Sequence, residues 1–200
     1  MIEFDLSRLK HCGIDVRISD NAIIKYPELV SIGDHVAIDA FTYITTAAQI
    51  GSYVHIGPHC SIIGGREALC VLQDFTGLSA GSRLICVSDD YLGSGLTNPT
   101  VPIAYHAELT NAPIIIEKHA ILGTGCIVYP GVTISEGAAV GSCSQVTHNL
   151  DPWYVYLGSP ARKVKKRESA KILALEDALW RGMSTLAVDV RLPPDGEPDS

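Results

Sequence analysis

Aromatic side chains are scarce: Phe, Trp and Tyr make up 6% of the 200 residues. A core assembled around large rings is therefore excluded. Charge is sparse too, at 18%, yet hydrophobic residues reach 46%, which excludes a disordered chain. No apolar run approaches the ~20 residues that a membrane-spanning helix needs. The start, Met1-Ile2-Glu3-Phe4-Asp5, introduces acid at once and has no apolar segment, so no signal peptide is expected. Basic residues gather only at Arg162-Lys163-Val164-Lys165-Lys166-Arg167 and the net charge is −7, which argues against a nucleic-acid partner. The cysteines, at 12, 60, 70, 86, 126 and 143, form no Cys-x-x-Cys pair. They are expected as small buried hydrophobes in a reducing cytoplasm.

What the chain does have is a period. Stepping by six from Ile32 meets Ile38, Ile44, Ile50, Ile56 and Ile62. Stepping by six from Ile116 meets Leu122, Val128, Ile134, Val140 and Val146. A shorter run, Leu72, Leu78 and Leu84, keeps the interval, and Ile18, Ile24 and Val30 read as a less regular first coil. The fourth residue after an anchor is mostly small, as at Thr42, Ala48, Cys60, Ala120, Cys126, Ala138 and Ser144. A helix would repeat every 3.6 residues and a lone strand every 2. A period of six fits a short strand plus a corner. Three such units close a triangular coil, and stacked coils then pair along parallel strands. The expected fold is an all-β solenoid whose anchors point inward.

Two interruptions stand out. The frame slips between Ile62 and Leu72, at Gly64-Gly65-Arg66-Glu67. A longer insertion occupies about 88–113, and loops of that length inside a regular repeat are often functional. After residue 162 the period ends. The region 163–185 reads as a C-terminal helix, strongest from Arg167 to about Met183, with Ile172, Leu173, Leu175, Leu179 and Trp180 apolar at helical spacing. Residues 186–200 read as a flexible tail.

Several segments then point to a family. Ile127-Val128-Tyr129-Pro130-Gly131-Val132-Thr133-Ile134 resembles an "I-x-P-G-V-T-I" coil, and Ala139-Val140-Gly141-Ser142-Cys143-Ser144-Gln145-Val146-Thr147 resembles a "V-I-G-A-G-S-V-V-T" coil. Asp151-Pro152-Trp153 and Gly158-Ser159-Pro160-Ala161-Arg162 resemble the closing segments of the same proteins. These are the hexapeptide-repeat acyltransferases, including galactoside, maltose and nucleotide-sugar acetyltransferases. Ser88-Asp89-Asp90-Tyr91 and Thr97-Asn98-Pro99-Thr100-Val101-Pro102 resemble a subgroup from surface-polysaccharide (lipopolysaccharide) synthesis. The resemblance implies a left-handed parallel β-helix over 1–162 and a cytoplasmic homotrimer. It also implies acetyl-CoA or another acyl-CoA as co-substrate, and a sugar or nucleotide-sugar acceptor. Gly123, Thr124, Gly141, Ser142, Thr147 and His148 would line the acyl-CoA groove, and Arg162 with Lys163 would meet the coenzyme phosphates.

Acyl transfer needs a proton acceptor and donors for the oxyanion. The sugar O-acetyltransferases that the chain resembles carry a histidine just before the long loop. Here the stretch is Val87-Ser88-Asp89-Asp90, and Asp89 stands in that place. A carboxylate (pKa ~3.9, against ~6.5 for imidazole) is a weak base for a hydroxyl but suffices for an amine that is already nucleophilic. N-acylation of an amino sugar is therefore expected, with Asp89 orienting the amine or taking its proton. Asp90, Tyr91 and Asn98 would shape the acceptor pocket. His106, in the long loop, is the substitute base. His35 and His119 are expected to point outward, and His55 and His59 to be solvated corner residues. His55 and His59 alone do not complete the three-histidine zinc site of a carbonic-anhydrase-like relative, so no metal is expected. O-acylation of a sugar hydroxyl, or a non-catalytic β-helix subunit, are the alternatives.

Overall fold

A computed structural model describes residues 4–185. The tail expected at 186–200 lies outside the described residues. The chain winds as a parallel β-solenoid with three faces per turn. One face aligns Cys12, Ile32, Ile50, Leu72, Ile116, Ile134 and Leu150. The next aligns Ile18, Ile38, Ile56, Leu78, Leu122, Val140 and Tyr156. The third aligns Ile24, Ile44, Ile62, Leu84, Val128 and Val146. All twelve anchors of the two long runs are buried, and so are Leu72, Leu78 and Leu84. Each such side chain contributes roughly 1.5–3 kcal/mol when fully buried. Small residues at the corners, such as Ala120, Cys126, Ala138 and Ser144, are buried between them and keep the coil narrow.

The frame slip is a bulge. Strands Tyr43–Ile50 and Ser61–Leu72 run side by side, but the register jumps from Thr46 opposite Gly65 to Ala47 opposite Leu69. Arg66, in the bulge, pairs with Glu28 at 2.9 Å and lies over the Tyr26 ring. The long insertion leaves the third face after Leu84 and rejoins the first face at Ile114–Ile116. Its base is an antiparallel pair, Val87–Ser88 with Thr110–Asn111.

A column of stacked rings stands outside the core, along the corner that follows the first face. His35, Tyr53, Phe75 and His119 each have φ between 56° and 60°. That left-handed turn aims each side chain along the stack, so successive rings lie 4.8, 5.0 and 5.1 Å apart. His35 and His119 therefore do not point into solvent, as their spacing suggested; His119 is only 5% exposed. Gly137 continues the column, and the Trp153 ring fills the space its missing side chain leaves: a Cβ there would lie 2.3 Å from the ring. Of the other histidines, His59 is a corner residue stacked on Phe41, whereas His55 lies in the strand His55–Ile56 and bonds Asp39 at 2.8 Å. The six cysteines are free, but Cys12, on the first coil, is only half-buried against the core, and Cys143, at a corner with φ 58°, is exposed.

The C-terminal helix is Ala170–Thr185, and it docks on this column. The Trp180 ring meets Tyr53 and Phe75 edge-on. Glu176 bonds Lys118, His119 Nε2 (2.7 Å) and Trp180 Nε1 (3.1 Å). Arg167 donates to the carbonyls of His119 and Gly137, both at 2.8 Å. The basic run before it is not a helix start. Arg162–Lys166 is a strand antiparallel to Tyr154–Leu157, held by Lys163 against Asp151 and over the Tyr154 ring.

Burial pushes the Glu176 carboxyl up, but hydrogen bonds from Lys118, His119 and Trp180 outweigh it and bring its pKa to about 2. A depressed carboxyl stabilises the fold above its ordinary value of 4.5, and that contribution fades as pH falls toward 2. Glu176→Gln is expected to cost about 1.5–3 kcal/mol at pH 7. The gap between wild type and variant should close over the same acid range, read by thermal unfolding. Gly137→Ala, strained at φ 66° and colliding with Trp153, is expected to cost about 2–4 kcal/mol. A neutral result in denaturant titration would contradict that packing.

Candidate active site

A cleft of about 330 Å3 opens where the base of the insertion crosses the third face. The loop supplies Ser88, Asp89, Asp90, Tyr91, Leu92 and Thr110, and the solenoid supplies Tyr129 and Pro130. The antiparallel pair Val87–Ser88 and Thr110–Asn111 fixes both loop ends, so Asp89 follows directly on a hydrogen-bonded strand.

The two neighbouring carboxylates differ. Asp90 accepts from the backbone N–H groups of Ser94 (2.7 Å) and Leu92 (2.8 Å), and from the Ser94 hydroxyl (2.7 Å). These bonds, led by the Ser94 N–H, lower its pKa to about 2. Asp90 is thus the anion that ties the Asp90–Ser94 turn. The Asp89 carboxylate, by contrast, has no hydrogen-bond or ion-pair partner among the described residues, while its carbonyl accepts from Ser88 Oγ at 3.2 Å.

Of the other loop candidates, Asn98 and His106 are not among the cleft walls. Asn98, at φ 76°, accepts from the N–H and hydroxyl of Thr100 and closes a local turn. His106 Nε2 lies 2.7 Å from the Val101 carbonyl oxygen, so that nitrogen carries the proton and donates it. Tyr91 lines the cleft at 89% exposure.

The expected cofactor residues fall on two corners and the face between them. Gly123 and Thr124 lie beside Gly141 and Ser142 on stacked coils, with the Cys143 N–H donating to the Thr124 carbonyl at 2.8 Å. A side chain on Gly123 would strike the Ser142 backbone at 2.6 Å, so close stacking of coils already requires glycine there. Thr147 and His148 are exposed past the strand Gln145–Val146, and Thr124 and Ser142 are exposed at the preceding corner. The turn Gly158–Ala161 lies over Gln145, which donates to the Gly158 carbonyl (3.0 Å) and accepts from the Ala161 N–H (2.7 Å). Arg162 follows this turn and is exposed, while Lys163 is held by Asp151. Tyr129, Pro130 and Thr110 were not singled out from the sequence. Tyr129 and Pro130 lie inside the coil motif; alternation turns Tyr129 outward from the buried Val128, a signal that the period itself carried, and Pro130 follows at the turn.

A larger groove of about 710 Å3 at the N-terminal end, walled by Phe4, Arg17 and Asp39 among others, holds none of the expected site residues. Among the described residues no group of three or more His, Cys, Asp or Glu could hold a metal ion. No described helix is long and apolar enough to cross a membrane.

Residues 30–64 match the family model described as bacterial transferase hexapeptide (six repeats). The chain is 34% identical over 170 residues to the dTDP-4-amino-4,6-dideoxy-D-glucose acyltransferase of Escherichia coli, covering 84% of this chain and 86% of that one. Its fold superposes on AntD, an N-acyltransferase from Bacillus cereus solved with dTDP and 3-hydroxybutyryl-CoA, with a TM-score of 0.85, 37% identity, and coverage of 89% and 93% of the two chains. A variant of AntD solved with dTDP-4-amino-4,6-dideoxyglucose and coenzyme A gives a TM-score of 0.84 at 37% identity, over 88% and 92% of the chains. The repeat, the coiled frame, the inserted loop and these relatives agree: the chain belongs to the hexapeptide-repeat acyltransferases, built on a left-handed parallel β-helix.

Proposed function

We propose that this enzyme transfers an acyl group from acyl-coenzyme A to the amine of a nucleotide-linked amino sugar. The observation that carries the reading is the Asp89 carboxylate, unpartnered among the described residues, in a cleft that no described histidine lines. An amine attacks the thioester without prior deprotonation and only afterwards must shed a proton, which a carboxylate can take. A hydroxyl asks for a base nearer neutrality. The acceptor class is supported by the E. coli relative, named for its dTDP-linked 4-amino sugar, and by AntD, solved with that sugar and coenzyme A.

In this reading the acyl-CoA arm runs along the third face, past Thr124 and Ser142 on one corner and Thr147 and His148 on the next. Arg162 meets the phosphates. Lys163, held by Asp151, would add to the local positive field. Asp90 holds the loop turn that presents Asp89, and Tyr91 forms the rim. Asn98 and His106 act by fixing the loop rather than by contact with the reacting atoms. Tyr91, Leu92 and Ile103 expose 89%, 96% and 88% of their surfaces on the insertion, which supports a second copy covering the loop; the homotrimer itself is what the family resemblance implies. We place the reaction in the cytoplasm, a setting compatible with six free cysteines.

Asp89→Asn is expected to lower kcat by about 100-fold or more, with the KM for acyl-CoA little changed. Steady-state thiol release on a dTDP-linked 4-amino sugar measures this. Full kcat in the variant would remove Asp89 from the mechanism.

A further inference from the structure

Asp89 can take a proton, but a carboxylate cannot steady the oxygen of the thioester carbonyl when that oxygen becomes negative. That task needs a fixed donor, and the side chains of the candidate site offer few. Asp89 and Asp90 are acceptors, and Ser88 Oγ already donates to the Asp89 carbonyl. The hydroxyls left in the cleft belong to Tyr91 and Thr110, both exposed and both on the insertion, and to Tyr129.

Tyr129 differs from the other two in its anchorage. It directly follows the strand Ile127–Val128 on the solenoid frame, and its N–H donates to the Val146 carbonyl at 3.0 Å. Val128 and Val146 are fully buried partners, so alternation turns Tyr129 and Thr147 outward side by side on the third face. Tyr129 thus stands between a residue expected to line the acyl-CoA groove and the cleft that holds Asp89. Its ring is half-buried, and among the described residues its phenol has no partner. A donor held by a rigid strand costs little reorganisation when charge develops opposite it.

We propose that the Tyr129 phenol is the hydrogen-bond donor for the thioester carbonyl oxygen during acyl transfer. The inference rests on the acyl-transfer reading above. The acceptor amine attacks the carbonyl carbon, a C–N bond forms, and the carbonyl electron pair moves to the oxygen facing Tyr129. When that pair returns, the C–S bond breaks and coenzyme A leaves as its thiolate. The proton lost by nitrogen passes through Asp89 to the sulfur, so amide and free thiol are the only products. Tyr129 contributes a hydrogen bond and keeps its proton throughout.

The test pairs kinetics with a readout that needs no acceptor. In Tyr129→Phe, kcat is expected to fall about 100-fold with the KM for acyl-CoA within about threefold. In the infrared spectrum of [1-13C]acetyl-CoA bound to the wild-type enzyme, the carbonyl band is expected to shift to lower frequency. Tyr129→Phe should abolish that shift, and Tyr91→Phe should keep it. A wild-type band at the free-ligand position, a shift that survives Tyr129→Phe, a shift lost in Tyr91→Phe, or an unchanged kcat in Tyr129→Phe would each overturn the assignment. If no amino sugar is acylated but the band shift still depends on Tyr129, the acceptor reading falls and the Tyr129 assignment stands.

Discussion

No coil of this solenoid can bury its anchors by itself. Ile32 is covered by Cys12 on one side and Ile50 on the other, and the same dependence runs through all three faces. Each turn is therefore stabilised chiefly by its neighbours, as in other one-dimensional repeats. Truncating a central anchor such as Ile56 or Leu78 would remove contacts with two coils at once, at a cost of roughly 2–5 kcal/mol. The same constraint decides where function can reside. An interior packed with Ile, Leu and Val leaves no room for a ligand, so chemistry is confined to corners, outward faces and the inserted loop. The cleft at Asp89 uses all three.

The corner column shows a second use of the constraint. Stacking at one corner lets His35, Tyr53, Phe75 and His119 pile up ring on ring, and this ridge is what the C-terminal helix grips through Trp180 and Glu176. Arg167 secures the same ridge near its end by bonding two corner carbonyls.

The period of six made the three faces legible from sequence, because every sixth position must be aliphatic for the stack to close. The bulge between Ile62 and Leu72 and the long insertion were legible as breaks in that period. The corners were harder to read. Nothing in the spacing tells that His35 and His119 adopt left-handed φ values and turn along the stack, nor that Cys143 remains exposed at its corner. The start of the region expected as a C-terminal helix, 163–169, is not helical: Arg162–Lys166 pairs with Tyr154–Leu157 through a turn not visible in composition, and the helix begins only at Ala170. Within the insertion, sequence brought out Asp89 and Asp90 together. Only the bonds to Leu92 and Ser94 separate the anion that ties the turn from the one left for chemistry. Tyr129 belongs to a family-like coil segment, and residue type alone does not say which outward ring meets the loop.

The account turns on one chemical distinction: a cleft with a carboxylate and no imidazole suits an amine better than a hydroxyl. The direct measurement is thiol release from acetyl-CoA on matched pairs of nucleotide-linked sugars that differ only in carrying an amine or a hydroxyl at the same carbon. The account predicts turnover on the amino sugar and turnover on its hydroxyl twin lower by two orders of magnitude or more, about the contribution of a positioned base. Equal or greater turnover on the hydroxyl sugar would contradict it.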